Sequence, residues 1–268
     1  MTADVFLNGA TIMTTPTARS ILVARDAGFV GVEVRTERLL GAPEEVREAA
    51  AAVQAGEVWS VNGLQLQLDA AGGLDRTRLA AELTPRLEVA ESVAASFLLV
   101  VPPRAAGADI EAAMSAMREG LLIAANAAAA RGIRVAFEFL GFGDCPINST
   151  ALAARVVKDL EGVALVLDSC HWHAAGSSVL DGFPVERIAM VHLNDAPAKP
   201  PRSIEDDDRV LPGDGVIALP TLVSALRARG YRGPWSLETF NPAYWSADPM
   251  AIARRGRSRL ADLLEATP

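Results

Sequence analysis

Cysteine is scarce in this sequence, since its 268 residues contain only Cys145 and Cys170. A small secreted domain held together by disulfides would contain more of them. We therefore interpret the chain as a cytoplasmic protein whose two thiols stay reduced. Both thiols are expected to be buried and chemically inert.

Clusters of basic residues and long apolar runs are also missing. The formal net charge is −8, and no group of lysines and arginines forms the basic face that a nucleic-acid binder usually shows. Apolar stretches such as SFLLVVPP and GLLIAANAAAA fall short of the roughly 20 residues that a membrane span needs. The N-terminal MTADVFLNGA has no basic segment followed by an apolar one, so it does not look like a signal peptide. We therefore expect neither a nucleic-acid nor a membrane partner.

What the sequence does contain is a repeating pattern of short apolar runs and longer amphipathic stretches. The apolar runs are VFLNGATI, VGVEVR, VNGLQLQL, FLLVVPP, IRVAFEFL, VALVLD, IAMVHLND and WSLETF. Continuous apolar runs are typical of parallel strands buried on both faces, and several of the stretches between them end in glycine, as helices do. Alternating strands and helices form parallel βαβ units, and eight such units in about 250 residues favour a closed barrel. The sequence thus predicts an α/β fold, a single (β/α)8 TIM-barrel domain over residues 1–268. A GxGxxG motif, which a dinucleotide-binding fold would show, does not follow the first run.

Ionisable residues stand at the ends of four successive apolar runs. Glu138 lies in the fifth, Asp168 ends the sixth, His192 lies in the seventh, and Glu238 lies in the eighth. Active sites of such barrels form at the carboxyl ends of the strands, so these four side chains are expected to meet at one rim. A carboxylate in an apolar run is costly unless a metal, a cation or hydrogen bonds satisfy it. Glu138 alone could be an ion-pair partner, but the set of four predicts a site for one divalent metal ion. Its mixed oxygen and nitrogen ligands suit Mn²⁺, Mg²⁺, Co²⁺ or Zn²⁺ without choosing among them.

Other polar and aromatic residues follow the same strands and are candidates for substrate contacts. Arg209, in the segment EDDDRVLPGDG, could bind a substrate oxygen or could pair with the adjacent acidic residues. Asn8 and Asn62 could bind substrate hydroxyls or could cap helices. Gly215 could let the backbone approach a ligand. The remaining candidates flank the last three strands: His171, His173, Asn194 and Asp195, with Trp172, Tyr244 and Trp245 as an apolar wall.

Several motifs resemble the xylose-isomerase-like family of sugar-phosphate isomerases and epimerases. The resemblance appears in FLNGATI, GFVGVEVRT, GIRVAFEFLGFGDCPINST, VALVLDSCHWHAAGS, MVHLNDA, EDDDRVLPGDG and WSLETFNPAYW. Within the family, the chain is most similar to the inosose (2-keto-myo-inositol) isomerases of inositol catabolism. It differs from them at Gly9, where a glutamate is expected, and at Cys170, where a bulky aromatic residue is common.

The resemblance implies a metal-dependent isomerase or epimerase that acts on a small sugar or cyclitol ketone. In the family the four metal ligands lie on strands 5 to 8. The residues at the matching positions of this sequence are Glu138, Asp168, His192 and Glu238. Glu138 and Glu238 would also be the catalytic residues, which transfer a proton through a cis-enediolate. His171 and Arg209 match family residues that contact substrate. A homo-oligomer is common among such proteins.

Three other enzymatic outcomes and one binding role remain open. Loss of a β-hydroxyl from the same enediolate would make the protein a dehydratase, and β-elimination would release an aglycone from a 3-keto glycoside. A metal-dependent phosphodiesterase or endonuclease of this fold would use more histidines than the three present here. A non-enzymatic sugar-binding barrel would not need two carboxylates around one metal.

Overall fold

Eight parallel strands pair in sequence order and close into a barrel in the computed structural model, which describes residues 3–177, 180 and 182–267. The barrel closes where Val5 of the first strand lies opposite Trp235 of the last. The strands are β1 (Val5–Asn8), β2 (Gly31–Arg35), β3 (Val58–Gln65), β4 (Phe97–Val101), β5 (Arg134–Glu138), β6 (Val163–Asp168), β7 (Ile188–Leu193) and β8 (Trp235–Leu237). The predicted (β/α)8 barrel is confirmed.

Helices follow the strands, and short polar side chains begin several of them. The α-helices of the described residues are α1 (Thr17–Asp26), α2 (Thr36–Leu39), α3 (Pro43–Ala52), α4 (Arg76–Ser92), α5 (Ile110–Ala129), α6 (Thr150–Val157), α7 (Ser169–Ala174), α8 (Leu219–Ala228), α9 (Pro242–Trp245) and α10 (Pro249–Ala266). Asp75, Asp109 and Asp248 each accept a hydrogen bond from a backbone amide in the first turn of α4, α5 and α10. Within the described part of the chain, no helix has both the length and the apolar character needed to cross a membrane.

The inside of the barrel is apolar at its amino-terminal end. Trp59 stacks on Phe97 with ring centres 4.5 Å apart, and the Arg134 guanidinium lies 4.1 Å from the centre of the Phe97 ring. Val166 and Met190 are buried in the same cluster. A second and larger core lies between the strands and the surrounding helices.

Two of the predicted strands have different limits. Residues Gly9–Ile12 form a 3-10 helix rather than the end of the first strand, because the Asn8 side chain accepts a hydrogen bond from the amide of Ala10. The third strand begins at Val58, earlier than predicted, because Val58 and Ser60 pair with β2.

Candidate metal centre

Four buried side chains meet at the carboxyl end of the barrel. Glu138 and Asp168 end β5 and β6, His192 lies in β7, and Glu238 directly follows β8. One ligand atom from each residue lies within 4.8 Å of the others. The strand register explains the meeting, since Asp168 lies opposite His192 and His192 lies opposite Ser236. The structure therefore brings the four predicted ligands together in a group that could hold one divalent metal ion.

Unsatisfied polar atoms in this group fit a cation. His192 Nδ1 lies 3.1 Å from Glu238 Oε2 and 3.5 Å from Glu138 Oε1. Neither contact has the geometry of a hydrogen bond, and both Nδ1 of His192 and Oε1 of Glu138 lack a hydrogen-bond partner among the described residues. Buried polar atoms are nearly always satisfied in folded proteins. Because imidazole nitrogen and carboxylate oxygen are ligands of Mn²⁺, Mg²⁺, Co²⁺ and Zn²⁺, the residues present fit such an ion.

The charged side chains of this group strongly shift one another's pKa values. Burial lowers the pKa of His192, but the carboxylates of Glu238, Glu33 and Glu138 outweigh this effect and raise the pKa well above its usual value. Burial raises the pKa of Glu138 to about 7 against the opposing influence of His192. Burial also acts to raise the pKa of Glu238, but His192 and Arg209 overcome it and lower the pKa. Three carboxylates so close together need positive charge, which a divalent cation supplies.

A further buried carboxylate orients His192. The Nε2 atom of His192 lies 3.1 Å from the carboxylate of Glu33 in the middle of β2. Glu33 in turn accepts hydrogen bonds from Asn8 Nδ2 at 3.3 Å and from Ser60 Oγ at 2.9 Å. A carboxylate on the outer nitrogen of a histidine fixes the ring and turns the other nitrogen toward the metal. Sequence analysis missed Glu33, although it carries the same signal as Glu138, a carboxylate within an apolar run.

Asn194 and the start of α7 hold Asp168. The Nδ2 atom of Asn194 donates to Asp168 Oδ2 at 2.6 Å, and the amide of His171 donates to Asp168 Oδ1 at 2.9 Å. Ser169 Oγ donates to the carbonyl oxygen of Asn194 at 2.8 Å. Asn194, predicted to lie at the rim, thus supports a ligand of the group.

Arg209 is buried against the four residues, and it pairs with the adjacent acidic segment, as one of its two interpretations predicts. Its guanidinium lies 3.0 Å from Glu238 Oε2 and 3.3 Å from Asp168 Oδ2, and also 2.6 Å from Asp206 in the acidic segment. It also donates to His171 Nε2 at 3.0 Å. Burial and the charge of Arg209 lower the pKa of His171 to about 3, so the imidazole is neutral. Because Nε2 of His171 accepts this hydrogen bond, Nδ1 carries the ring proton. Nδ1 has no hydrogen-bond partner among the described residues.

A cavity of about 330 Å³ opens above this group. Glu138, His171, Arg209 and Glu238 form part of its lining. Its apolar side consists of Leu99, Val101, Leu140, Phe142 and Phe240, and further polar residues at its edge are Arg35, Asn62, Gln65 and Arg104. Asn62 therefore lies where a substrate contact was predicted.

Two of the predicted substrate contacts are not placed at this cavity. Asn8 is fully buried, and its side chain caps the 3-10 helix and binds Glu33, so the capping interpretation is the correct one. Trp172 packs in the hydrophobic core with 5% of its surface exposed. Neither residue is among the described residues that line the cavity. The short helix α7 turns Trp172 inward because His171 occupies the face toward the cavity.

The predicted aromatic wall after β8 is also different. The Tyr244 hydroxyl accepts from the amide of Leu211 at 3.1 Å, and Trp245 Nε1 donates to the carbonyl oxygen of Ala10 at 2.8 Å. These side chains tie loops together, and neither is among the described residues that line the cavity. Phe142 and Phe240, which were not predicted, supply its aromatic surface.

Three further expectations concern small and polar residues near the site. At Gly215 a Cβ atom would lie 2.3 Å from the carbonyl oxygen of Ala196. The Gly215 backbone therefore packs closely against the start of the loop after β7 rather than approaching a ligand. Asp195 holds that same loop by accepting hydrogen bonds from Gly213 and Ile217. His173 Nδ1 lies 3.3 Å from the Ser177 hydroxyl.

The two cysteines are buried, as predicted. Burial raises the pKa of each thiol, Cys145 and Cys170, to about 12. A thiol with such a pKa is almost entirely protonated at neutral pH and is a poor nucleophile. Neither cysteine is therefore a candidate for covalent catalysis.

A family model for xylose isomerase-like TIM barrels matches residues 21–263. The chain belongs to the xylose isomerase-like TIM barrel family. The predicted family is confirmed. The residues of the candidate metal centre all fall inside the matched region.

Known proteins with similar sequences have two kinds of activity. The inosose isomerase of Halalkalibacterium halodurans is 36% identical over 118 residues, which are 42% of this chain and 42% of that protein. The inosose isomerase of Bacillus subtilis is 32% identical over 137 residues, 50% of this chain and 49% of that protein. A 3-dehydroshikimate dehydratase of Pseudomonas aeruginosa is 32% identical over 262 residues, 90% of this chain but only 39% of that protein. The matches thus span half or less of the length of these relatives.

Solved structures share the fold. The crystal structure of the IolI protein with a bound zinc atom has a TM-score of 0.89 and 23% identity, covering 100% of this chain and 99% of that chain. An L-ribulose 3-epimerase has a TM-score of 0.76 and 18% identity, covering 99% and 95% of the two chains. At sequence identities of 23% and 18%, these structural similarities show that the fold is shared.

Proposed function

We propose that this protein is a divalent-metal-dependent isomerase or epimerase of a small keto-polyol, such as a keto-inositol or a ketose. The observation that carries the proposal is the pair of buried glutamates, Glu138 and Glu238, which share one possible ion site with Asp168 and His192 beneath an open cavity. The inosose isomerases among the relatives support this substrate class.

The metal site is proposed to consist of Glu138, Asp168, His192 and Glu238. A divalent ion held there would supply Lewis acidity to a substrate carbonyl and make the neighbouring C–H bond more acidic. The zinc atom in the IolI structure supports this expectation for the same barrel type. Mn²⁺ is one of four proposed ions, because the mixed oxygen and nitrogen ligands do not select among Mn²⁺, Mg²⁺, Co²⁺ and Zn²⁺.

Glu138 and Glu238 are proposed as the catalytic acid and base. One carboxylate accepts the proton from the carbon next to the carbonyl group, and the electrons of the broken C–H bond move toward the carbonyl oxygen. The other carboxyl group returns a proton either to the neighbouring carbon, which completes an isomerisation, or to the opposite face of the same carbon, which completes an epimerisation.

His171 and Arg209 are proposed to bind substrate oxygens. The protonated Nδ1 of His171 is a free donor among the described residues, and the guanidinium of Arg209 is buried beside Glu238. Donors aimed at an oxygen that gains negative charge stabilise the transition state. The apolar side of the cavity would pack against the C–H face of a cyclic substrate.

Solvent deuterium exchange tests the proposal. Protein loaded with Mg²⁺ or Zn²⁺ is mixed with keto-inositols, ketohexoses, 3-keto glycosides and 3-dehydroshikimate in D₂O, and proton NMR follows each compound. Metal-dependent exchange next to the carbonyl, abolished by chelator and in Glu138→Gln with metal still bound, is the expected result. If Glu138→Gln and Glu238→Gln both retain turnover, the acid and base roles are wrong.

A lyase is the second candidate. The 3-dehydroshikimate dehydratase of Pseudomonas aeruginosa aligns with 90% of this chain, and loss of a β-hydroxyl starts with the same proton abstraction. The same NMR experiment separates the candidates, because dehydration or release of an aglycone changes the composition of the substrate, and isomerisation does not.

We also propose a cytoplasmic location and, for a keto-inositol substrate, a role in inositol breakdown. A homo-oligomer stays a prediction.

A further inference from the structure

Arg104 joins three loops at the mouth of the cavity. It follows β4, and its Nε atom lies 2.9 Å from both carboxylate oxygens of Asp144 in the loop between β5 and α6. Its Nη1 and Nη2 atoms lie 2.5 and 3.0 Å from the carboxylate of Glu205 in the loop between β7 and α8. The amide of Ala105 also donates to the carbonyl oxygen of Asp144 at 2.9 Å. Two carboxylates from different loops thus share one guanidinium fork.

One path leads from Arg104 to His171. The Arg104 guanidinium lies 4.4 Å from the centre of the Phe142 ring. Phe142 meets His171 edge to face, with ring centres 4.9 Å apart and planes at 84°. The backbone next to Phe142 packs directly against His171, since a Cβ atom at Gly141 would lie only 2.3 Å from the carbonyl oxygen of His171. Phe142 is therefore packed between Arg104 and the imidazole.

A second path leads from Arg104 to Arg209. Glu205 caps the 3-10 helix Asp206–Asp208, whose other end is Arg209. The amide of Glu205 donates to the Asp208 carboxylate at 3.1 Å, and Asp206 pairs with the Arg209 guanidinium at 2.6 Å. Holding Glu205 in place therefore holds the turn that presents Arg209 to the site.

We propose that Arg104 is a positioning residue, which sets the place of His171 through Phe142 and that of Arg209 through Glu205. Exposed ion pairs contribute little to stability, so the role concerns geometry rather than folding. The catalytic consequence rests on the proposed function of this site, whereas the structural consequence does not.

Histidine NMR tests the structural consequence without any substrate. The chain has three histidines, so ¹³C-labelled histidine gives three ring signals, which His171→Gln and His173→Gln assign. Arg104→Met is expected to shift or broaden the His171 signal, because Phe142 loses the cation that holds its ring. The matched control is Arg155→Met, since Arg155 forms a similar exposed pair with Glu111 at 2.7 Å, away from the cavity. An unchanged His171 signal in Arg104→Met overturns the proposal.

Turnover tests the catalytic consequence. Arg104→Met is expected to lower kcat by about tenfold or more at unchanged metal content and melting temperature, since misplacement of about 1 Å can cost ~100-fold in rate. Arg104→Lys should recover only part of the loss, because an ammonium cannot bind two carboxylates as a fork. Glu205→Gln interrupts the second path, so it should lower kcat. Because Arg209 donates to His171 Nε2, this variant should also shift the His171 signal.

The outcomes separate the two proposals. A shifted His171 signal in a protein that acts on none of the tested ketones contradicts the proposed function and supports the positioning role. Measurable turnover that is equal in the unaltered protein and in Arg104→Met, with metal bound in both, overturns the positioning role and leaves the proposed function intact.

Discussion

At the scale of single residues, the candidate metal centre depends on side chains that do not face the ion. Glu33 fixes the ring of His192, and Asn194 holds Asp168. Both supporting residues are fully buried. A buried ligand keeps its direction only if such partners hold it, so these contacts should affect metal affinity as well as structure.

Glu33→Gln is expected to weaken metal binding by about 10- to 100-fold, because an uncharged amide is a weaker partner for the outer nitrogen of His192. Competition titrations with a Zn²⁺ chelator measure the affinity. The control is Glu57→Gln, since Glu57 is also nearly buried but pairs with Arg25, away from the metal centre. Equal affinities of Glu33→Gln and the unaltered protein would show that Glu33 has no role in ligand orientation.

The thiols of Cys145 and Cys170 should not react in the folded protein. Their pKa values of about 12 and their burial leave very little accessible thiolate near neutral pH. With a thiol-specific chromogenic reagent at pH 8, we expect no rapid reaction in native protein and two equivalents after unfolding in guanidinium chloride. Rapid native labelling of Cys170, identified with Cys170→Ser, would contradict this expectation.

At the scale of elements, the loops after β5 and β7 both contribute residues to the lining of the cavity. The β5–α6 loop packs its backbone against α7 at Gly141 and places Phe142 beside His171. The β7–α8 loop is held by Asp195, which accepts amide hydrogen bonds from Gly213, Gly215 and Ile217. Both loops have fixed contacts with the rest of the barrel, so Phe142 and Arg209, which they carry, are held in place.

Gly141→Ala should destabilise the protein and disturb the cavity. The added Cβ atom would lie 2.3 Å from the carbonyl oxygen of His171, so backbone must move, at a cost of about 1–3 kcal/mol. Gly143→Ala is the matched control in the same loop, because its Cβ atom would meet nothing closer than the Arg202 carbonyl oxygen at 3.7 Å. Urea unfolding measures both. Equal stability of the two variants would mean that the loop adapts without strain.

At the scale of the whole molecule, the ion site joins strands from one half of the barrel. Its candidate ligands come from β5, β6, β7 and the residue after β8, so an ion bound there would connect four neighbouring strands. An ion that binds only the folded chain stabilises it to an extent that grows with the free-ion concentration relative to Kd. An ion held at this site would therefore also stabilise the fold.

Saturation with the preferred ion should raise the melting temperature. At a free-ion concentration of 100 times Kd, the expected gain is about 2.7 kcal/mol. Thermal unfolding with Mn²⁺, Mg²⁺, Co²⁺ or Zn²⁺, each reversed by EDTA, measures the effect. His192→Ala should abolish it. If none of the four ions shifts the transition, these residues do not form a metal site.

The sequence by itself determined the barrel and the four residues of the candidate metal centre. Eight apolar runs separated by amphipathic stretches leave few other folds, and parallel strands bring their carboxyl ends to one rim. A carboxylate or imidazole at the end of a buried strand has to face that rim or lose its solvation. For this reason Glu138, Asp168, His192 and Glu238 could be selected without coordinates.

Only the tertiary structure decided which other side chains reach the cavity. Asn8 ends its strand, yet its side chain caps a 3-10 helix instead of lining the cavity. Likewise, Trp172 of α7 packs in the core while His171 lines the cavity. The contacts of Arg104 with Asp144 and Glu205 cross 40 and 101 positions of the sequence. Strand ends follow from local pattern, because hydrophobic burial fixes them. Loop side chains depend instead on backbone turns and long-range partners, which appear only once the barrel has closed.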